Sequence, residues 1–428
     1  MLNDRTTVKL FGVAFIGGLC LVASFLVMGL VYERESRFKE VQQEVAKTWG
    51  EAQVIVGPVL INNAGINSGI VNYILPDTLN YQVKLEPEVR SRGIFKSVVY
   101  VAKLSGSGSF SAKDISDGGG PIQATFSLGI TDTRGIEKQF DLEWDKTKVA
   151  LNPGAGNNPL ISSSGLSAQI PDLRGNNHTF SFEVTLNGSE GIQFLPLGRE
   201  TEVKISSPWE NPKFMGNYLP SERNVAPGGF DSVWRVSSFG RTYPQVITQT
   251  NYPQPLNQTD RQKELIDSSF GVSLLGGVDL YTQVIRSIKY AILFIATTFI
   301  VFALFELLSG LRIHPVQYLL VGVALAMFYL LLLSLAEHIG FGLAYLISML
   351  MVALLVSVYC YKVLGSMKRT LIVFGALELL YGYLYFNLSM EDYALLFGSL
   401  FLFTLLAVIM YLTRNIDWYN LQATKNRS

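Results

Sequence analysis

Residues 315–335 of the chain read PVQYLLVGVALAMFYLLLLSL, a run of 21 residues without a charged side chain. At a rise of about 1.5 Å per residue, a helix of this length crosses the ~30 Å hydrocarbon core of a bilayer. Comparable runs, with at most one charged residue each, occupy the ranges 10–32, 290–309, 339–361, 371–388 and 393–412. The sequence therefore predicts a membrane protein with six spans.

The first run has two interpretations. A cleaved signal peptide has an apolar core of about 7–15 residues followed by a small-residue cleavage site. The run here is longer and lacks a clear site, and Cys20 follows Leu19 rather than a small residue. We therefore expect residues 1–32 to form a cytoplasmic tip and an uncleaved transmembrane anchor helix. The bundle of five transmembrane helices would then occupy residues 286–414, and residues 415–428 would be a cytoplasmic tail.

The orientation follows from the basic residues in the short loops. One side of the membrane would carry most of them, namely Arg5, Lys9, Arg312, Lys362, Lys368, Arg369, Arg414, Lys425 and Arg427. The two short links on the other side, 336–338 and 389–392, carry none. This predicts a multi-pass membrane protein with both termini in the cytoplasm and residues 33–285 outside, which is the periplasm if the membrane is a bacterial inner membrane. Arg34, Arg37 and Lys39 argue weakly against it.

Residues 33–285 combine two periodicities. Apolar residues at helical spacing in 33–49 predict a helical stalk that continues the first span. Beyond Gly50, apolar and polar residues alternate, which predicts strands with one buried face. The apolar positions of three such segments are Leu79, Tyr81, Val83 and Leu85; Ile122, Ala124, Phe126, Leu128 and Ile130; and Phe180, Phe182, Val184 and Leu186. The pattern favours a β-rich, sandwich-like domain of antiparallel sheets, with a short helix near 260–267. The fold class is thus an α+β membrane protein.

Charge and cysteine content exclude two classes of function. Residues 33–285 hold 23 basic and 27 acidic side chains, a net charge of −4 without a long basic run, so no nucleic-acid partner is expected. The two cysteines, Cys20 and Cys360, lie in apolar runs and provide neither a disulfide framework nor a thiol metal site. The periplasmic domain must therefore be stabilised by packing alone.

Sequence motifs give no catalytic centre. The chain lacks G-x-S-x-G, H-E-x-x-H and the phosphate-binding G-x-x-x-x-G-K-[ST]. The partial look-alike Gly106-Ser-Gly108 lies between strand-like runs and is interpreted as a strand break or turn. His178 follows two asparagines and is expected to be solvated. His314 and His338 flank the third span, about 30 Å apart, so one metal cannot bind both. No cofactor is expected.

Glu337 and His338 lie where the third span meets the outer surface. Because histidine titrates near neutral pH, this pair is a candidate for a proton-linked or headgroup-binding site. The alternative is a polar link that ends a helix at the interface. Arg286 and Lys289 lie at the same level and either extend to lipid headgroups or take part in a charged collar. In that hypothesis they join the pair and Glu391 and Asp392 of the other outer link, and the collar docks the outer domain and binds a headgroup.

Two acidic residues lie inside predicted spans. Intramembrane charge is costly, and it marks candidate functional sites. Glu306 is near the inner end of the second span, from which it can reach the headgroups. Glu378 is deeper in the fifth span and is expected to face the bundle and accept hydrogen bonds from tyrosines such as Tyr381.

Long stretches of the chain resemble the CreD family. In the membrane region these are Val278–Tyr290, Ile313–Gly322, Phe328–His338 and Glu391–Leu396. In the outer domain, Arg92-Gly-Ile-Phe95 with Val99-Tyr100 is similar to an RGI…VY pattern of the family, which makes Arg92 a candidate functional residue. Further matches in order are Phe194–Gly198, Ser207–Trp209, Phe214–Gly216 and Arg241–Gln245.

The resemblance implies an inner-membrane protein linked to cell-envelope integrity, to two-component control, and to colicin tolerance and the β-lactam response. It implies no reaction and carries over no catalytic residue.

Three functions remain open. The first is a non-enzymatic envelope-maintenance protein whose partners are membrane lipids or a periplasmic or envelope protein. The second is a transporter or lipid-handling protein, which the lack of broken inverted repeats weakens. The third is a membrane enzyme with its site at the outer mouth of the bundle, which the lack of a nucleophile–base motif weakens. We favour the first.

Overall fold

The computed structural model describes residues 4–64, 70–115, 123–156, 164–173, 177–248, 267–274, 278–309, 313–390 and 393–414. The chain divides into two compact units. The helical unit comprises Met1–Glu35 and Val278–Ser428, and the strand unit comprises Ser36–Gly277. Residues 260–266 of the predicted short helix, and the tail 415–428, lie outside the described residues.

Seven α-helices are present in the described ranges. They are α1 Asp4–Trp49, α2 Val278–Lys289, α3 Ala291–Ser309, α4 Pro315–Ile339, α5 Phe341–Leu364, α6 Met367–Ser389 and α7 Ala394–Thr413. By length and composition α1, α4, α5, α6 and α7 can each cross a membrane. The pair α2 and α3 is bent by 41° at Tyr290 and would provide a sixth span. The predicted apolar runs are therefore confirmed as helices.

The strand unit contains seventeen strands within its described part. They are β1 Gln53–Ala64, β2 Ile70–Ile74, β3 Thr78–Arg92, β4 Phe95–Phe110, β5 Ala124–Ile130, β6 Asp141–Trp144, β7 Thr147–Ala150, β8 Asn152–Pro153, β9 Gly165–Ile170, β10 His178–Ser189, β11 Gly191–Phe194, β12 Glu200–Ser207, β13 Lys213–Gly216, β14 Glu222–Ala226, β15 Gly229–Ser237, β16 Val246–Thr248 and β17 Phe270–Ser273.

These strands form two sheets. The first has the order β13-β17-β11-β1-β5-β9-β8, with β2 paired to β1 and β16 paired to β2. The second has the order β14-β15-β12-β3-β4-β10-β6-β7. The expectation of purely antiparallel sheets is wrong at two places, because β1 pairs with β11 and β3 pairs with β12 in parallel. Alternation along a strand shows which face is buried but not the direction of the neighbouring strand.

The two sheets share one apolar core, which confirms the sandwich. Aromatic rings meet across it: Tyr81 of β3 lies 5.0 Å from Phe194 of β11, and Phe126 of β5 lies 5.7 Å from Phe180 of β10. The described apolar positions of the three predicted alternating segments are all buried. Neither unit needs a disulfide, since Cys20 and Cys360 are free thiols of the helical unit.

Gly106 and Gly108 do not break a strand, so the prediction of a turn was wrong. Both lie inside β4, in register with Phe182 and Phe180 of β10. A Cβ at position 106 would lie only 2.4 Å from Cζ of Phe182, so the ring occupies the space that a side chain would need. Glycine is required here because an aromatic residue of the next strand covers the backbone.

His178 is buried rather than solvated. It is the first residue of β10, stacks on Trp144 at 5.4 Å, and its Nδ1 lies 2.6 Å from Oδ2 of Asp145. Burial opposes the charge on Asp145, but hydrogen bonds from His178 and Thr179 hold the pKa of this carboxyl below its ordinary value. The two asparagines before His178 therefore mark the approach to a strand, and the packing of Trp144 decides where the imidazole lies.

The stalk prediction is confirmed, because α1 continues without a break to Trp49. Within the strand unit, Phe38 of the stalk packs at 6.0 Å from Phe95, and the Nε1–H of Trp49 donates to the carbonyl of Tyr100 at 3.3 Å. The guanidinium of Arg90 lies 3.7 Å from the centre of the Trp49 ring. One face of the stalk is thus part of the folded strand unit.

Candidate functional site

In the helical unit the anchor helix α1 runs along α4. A Cβ at Gly322 of α4 would lie 2.3 Å from Sγ of Cys20, so the two helices approach closely at this level. A second contact joins Arg34 of α1 to Glu337 of α4. The contacts are separated by 14 residues on α1 and by 15 on α4, or about 21 Å of helix. Because the spacing matches in the same chain direction, α1 and α4 are parallel.

The second contact is a bidentate ion pair. Nε of Arg34 donates to Oε1 of Glu337 at 2.9 Å, and Nη2 donates to Oε2 at 2.7 Å. The hydroxyl of Tyr281, on α2, donates to Oε1 at 3.0 Å. We call Arg34, Tyr281 and Glu337 the latch. It connects α1, α2 and α4, three helices that lie far apart in the sequence.

Burial determines how much the latch can contribute. The side chain of Glu337 is 6% exposed, whereas that of Arg34 is 40% exposed. Fully exposed ion pairs contribute about 0–1 kcal/mol, and bidentate arginine–carboxylate pairs are among the strongest hydrogen-bonded pairs. Because the carboxylate of Glu337 is enclosed, we expect the latch to contribute more to stability than a fully exposed ion pair. Because Arg34 is partly exposed to solvent, the latch should contribute less than a fully buried pair.

Only Glu337 of the candidate collar belongs to the latch. His338 is exposed, and its Nδ1 lies 2.9 Å from the carbonyl oxygen of Ser334. On α2, Arg286 is half-buried and Lys289 is exposed. Sequence analysis missed Arg34 and Tyr281. The available signal was that Arg34 lies two residues after the first apolar run (10–32), just as Glu337 lies two residues after the third (315–335).

Two other candidates, His314 at a helix end and Arg92 at a strand end, have local structural roles. Nδ1 of His314 accepts a hydrogen bond from the backbone N–H of Val316 at 3.3 Å, and the His314 N–H donates to Gln317 at 3.0 Å, which caps the start of α4. Arg92, the last residue of β3, pairs with Glu44 of the stalk at 2.6 Å. Glu306 is half-buried near the end of α3.

Glu378 is the candidate with the most unusual surroundings. Its Oε1 is buried and has no hydrogen-bond partner among the described residues. The predicted hydrogen bond from Tyr381 is not formed, since the hydroxyl of Tyr381 is also buried without a partner there. A carboxyl oxygen and a phenol oxygen thus lie inside the helical unit with their hydrogen-bonding capacity unused by the described side chains.

In the strand unit, Asp132 is a buried carboxylate with a clear structural role. Arg134 donates to it from Nε at 2.8 Å, and the backbone N–H groups of Arg134 and Glu51 donate at 3.0 and 3.1 Å. The hydrogen bond from the Arg134 side chain is the main reason that the pKa of Asp132 lies below its ordinary value. These bonds join the segment after β5 to Glu51, two residues beyond the end of the stalk.

The chemistry available to these sites is limited. Both oxygens of Glu337 are occupied in the latch, so this carboxylate is not positioned as a free general base. Across the described ranges, no group of three or more histidine, cysteine, aspartate or glutamate side chains could hold a metal ion. The latch geometry is suited to holding helices together.

Comparisons with known proteins agree with this architecture. The family model described as "Inner membrane protein CreD" matches residues 5–419. Inner membrane protein CreD of Escherichia coli (strain K12) is 30% identical over an alignment of 441 residues, which covers 98% of this chain and 94% of that protein. A solved M1 zinc metallopeptidase from Deinococcus radiodurans aligns at 7% identity over 38% of each chain with a TM-score of 0.20, too low to carry an argument. The match over nearly the whole length, together with the apolar helices on either side of a strand-rich unit, shows that the chain belongs to the CreD family of inner membrane proteins.

Proposed function

We propose that the protein maintains cell-envelope integrity without catalysing a reaction, through contacts of its residues 33–285 and its spans with membrane lipids or with a periplasmic or envelope protein. The observation that carries this proposal is the latch. An acidic residue that could have formed an open site at the mouth of the bundle is instead enclosed by Arg34 and Tyr281. Its use in joining helices favours a scaffold over an enzyme.

The proposal includes an orientation, with both termini in the cytoplasm and residues 33–285 in the periplasm. Two arguments support it. The parallel arrangement of α1 and α4 requires their first residues to lie on the same side of the membrane. The segment just before α4, the last turn of α5 and the first turn of α6 carry the basic residues Arg312, Lys362 and Lys368. Basic residues at the ends of spans are enriched on the cytoplasmic side.

A charge exchange tests the scaffold role. Cells that lack the chromosomal gene would express Arg34→Glu, Glu337→Arg or the double exchange, and survival in a membrane-disrupting detergent and in a β-lactam would be measured at equal protein level. We expect each single reversal to reduce survival, because it places two like charges in contact, and the exchange to recover most of it. A catalytic carboxylate at position 337 could not be replaced by arginine.

Two controls are available next to the latch. His338→Ala removes an exposed side chain beside Glu337, and Glu33→Gln changes an exposed charge beside Arg34. Both should survive like the wild type. Wild-type survival of both single reversals would reject the latch as the functional feature. Failure of the exchange, combined with normal folding, would favour a chemical role for Glu337.

A further inference from the structure

Four polar side chains with buried oxygen atoms lie on three neighbouring helices of the helical unit. They are Tyr329 of α4, Ser348 of α5, and Glu378 and Tyr381 of α6. The tyrosines and the serine are at most 1% exposed. Each hydroxyl oxygen, and Oε1 of Glu378, is buried without a hydrogen-bond partner among the described residues. We call these four residues the interior polar cluster.

The register of α5 against α6 shows that the cluster is local. A Cβ at Gly342 would lie 3.4 Å from the hydroxyl of Tyr385, and the hydroxyl of Tyr345 donates to the carbonyl of Tyr381 at 2.8 Å. The helices are antiparallel, so one further turn along each places Ser348 opposite Glu378. Glu378 lies 11 residues before the end of α6, which is about 16 Å along the helix axis.

The surroundings of the cluster are aromatic and uncharged. The ring of Tyr381 packs at 4.8 Å from Phe294 and at 4.6 Å from Phe328, which leaves little room for a bulky ligand. Glu378 forms no ion pair within the described residues. Its titratable neighbours are the hydroxyls of Tyr345 on α5 and Tyr381 on its own helix, and Tyr329 of α4 lies close to both of these tyrosines. Of the other packed helices, α2 carries Arg286 and Lys289, α3 carries Glu306 and α7 carries Tyr411.

A carboxylate in such surroundings would be costly, because a charge within the membrane interior without a partner loses its hydration. The smallest cation that removes this charge is a proton, and it needs no cavity. We propose that Glu378 is a proton-binding site inside the bundle, with Tyr329, Ser348 and Tyr381 as the hydroxyls that surround its carboxyl group. Binding adds one proton to one carboxylate oxygen and converts the charged group into a neutral acid.

Carbodiimide labelling tests this in the full-length protein. Dicyclohexylcarbodiimide is apolar and adds as a whole molecule to a protonated carboxylic acid. The protein in lipid nanodiscs would be treated across a pH series, and each carboxyl group would be followed by peptide mass spectrometry. We expect label on Glu378 that decreases as the pH rises, and none on Glu337, whose charge is held by Arg34. Glu378→Gln should remove the label from this position.

Variants of the hydroxyls distinguish a proton site from a carboxyl group that is only accessible. Tyr329→Phe, Ser348→Ala and Tyr381→Phe each remove a donor that can stabilise the ionised form, so each should shift the midpoint of labelling to higher pH. A shift of about one pH unit corresponds to a tenfold change in proton affinity. Tyr361→Phe removes an exposed tyrosine of α5 and should leave the midpoint unchanged. These variants keep Glu378 and remain informative if Glu378→Gln does not fold.

Infrared spectroscopy covers the case in which the reagent cannot reach the cluster. We expect the carbonyl band of a protonated carboxylic acid in the difference spectrum between the wild type and Glu378→Gln. If that variant does not fold, the difference spectrum between the wild type and Tyr381→Phe takes its place. An ionised carboxylate band at this position at all pH values between about 5 and 8 would overturn the proposal. An unlabelled Glu378 with the protonated band present would support it.

Discussion

Glu337 and Glu378 are two acidic residues of the same helical unit in opposite situations. Glu337 has an arginine on both carboxylate oxygens and a tyrosine hydroxyl on one of them. Glu378 has neither among the described residues, and one of its oxygens is buried. The first arrangement stabilises the charged form and the second disfavours it. The same residue type thus serves as a structural contact at one position and as a proposed proton site at the other.

Gly106 provides a test of packing at a single position. Gly106→Ala would place a methyl group against the ring of Phe182, so we expect a loss of about 1–3 kcal/mol in the free energy of unfolding. Phe182→Leu should recover part of this loss in the double variant, because it moves the clashing atoms away. Tryptophan fluorescence during urea denaturation reports on this unit, which contains Trp49, Trp144, Trp209 and Trp234.

Gly108 supplies the matched control for that experiment. A Cβ there would lie 2.0 Å from the carbonyl oxygen of Thr78 as well as close to Phe180. Because a backbone atom cannot be removed by substitution, Phe180→Leu should not recover Gly108→Ala. If Gly106→Ala were as stable as the wild type, the close packing of the Phe182 ring on the backbone of Gly106 would be contradicted.

The hydrogen bonds to Asp132 predict that part of the free energy of unfolding is lost at acid pH. Its pKa is lowered in the folded state, so its contribution is present above the unfolded-state pKa of about 3.9 and is lost as the pH falls through the lower, folded-state value. Asp132→Asn should reduce the free energy of unfolding at pH 7 by about 1.5–3 kcal/mol. The difference from the wild type should shrink below about pH 4. The exposed Asp141→Asn serves as the control, and a pH-independent difference for Asp132→Asn would refute the assignment.

Among the elements, the stalk part of α1 gains its order from packing on the strand unit. Phe38 is buried there against Phe95. Phe38→Ala should cost about 3 kcal/mol, the lower end for buried phenylalanine, because Phe95 is itself partly exposed. Hydrogen exchange across residues 36–49 should become faster. Gln43→Ala, on the exposed face of the same helix, should change neither the exchange nor the melting temperature. Equal exchange rates in the two variants would show that the burial of Phe38 does not stabilise this part of the helix.

For the whole molecule, the prediction is the topology. Alkaline phosphatase fused after Gly120 should be active, and green fluorescent protein fused after Ser366 or at the C-terminus should be fluorescent. The physical reason is the retention of basic loops in the cytoplasm. If the phosphatase were active when fused after Ser366, or the fluorescent protein were fluorescent when fused after Gly120, the proposed orientation in the membrane would be wrong.

The amino-acid sequence by itself determined the elements of this protein. The apolar runs are confirmed as helices, and the alternating segments are confirmed as strands with one buried face, because both properties depend on residues close together in the chain. Sequence also identified Glu337 and Glu378 as unusual carboxylates, since a charge at or within an apolar run is visible without a structure.

Only the tertiary structure decided which groups meet. Arg34 and Glu337 are separated by 303 residues, and the sequence shows only that each lies just after an apolar run, not that the two side chains meet. The same holds for the parallel pairing of β1 with β11, the ring of Phe182 over Gly106, and the burial of polar oxygens of Tyr329, Ser348 and Glu378 inside the helical unit. A period or a hydropathy run describes one element, whereas the partner of a side chain depends on how distant elements pack, and that is fixed by the summed contacts of the folded chain.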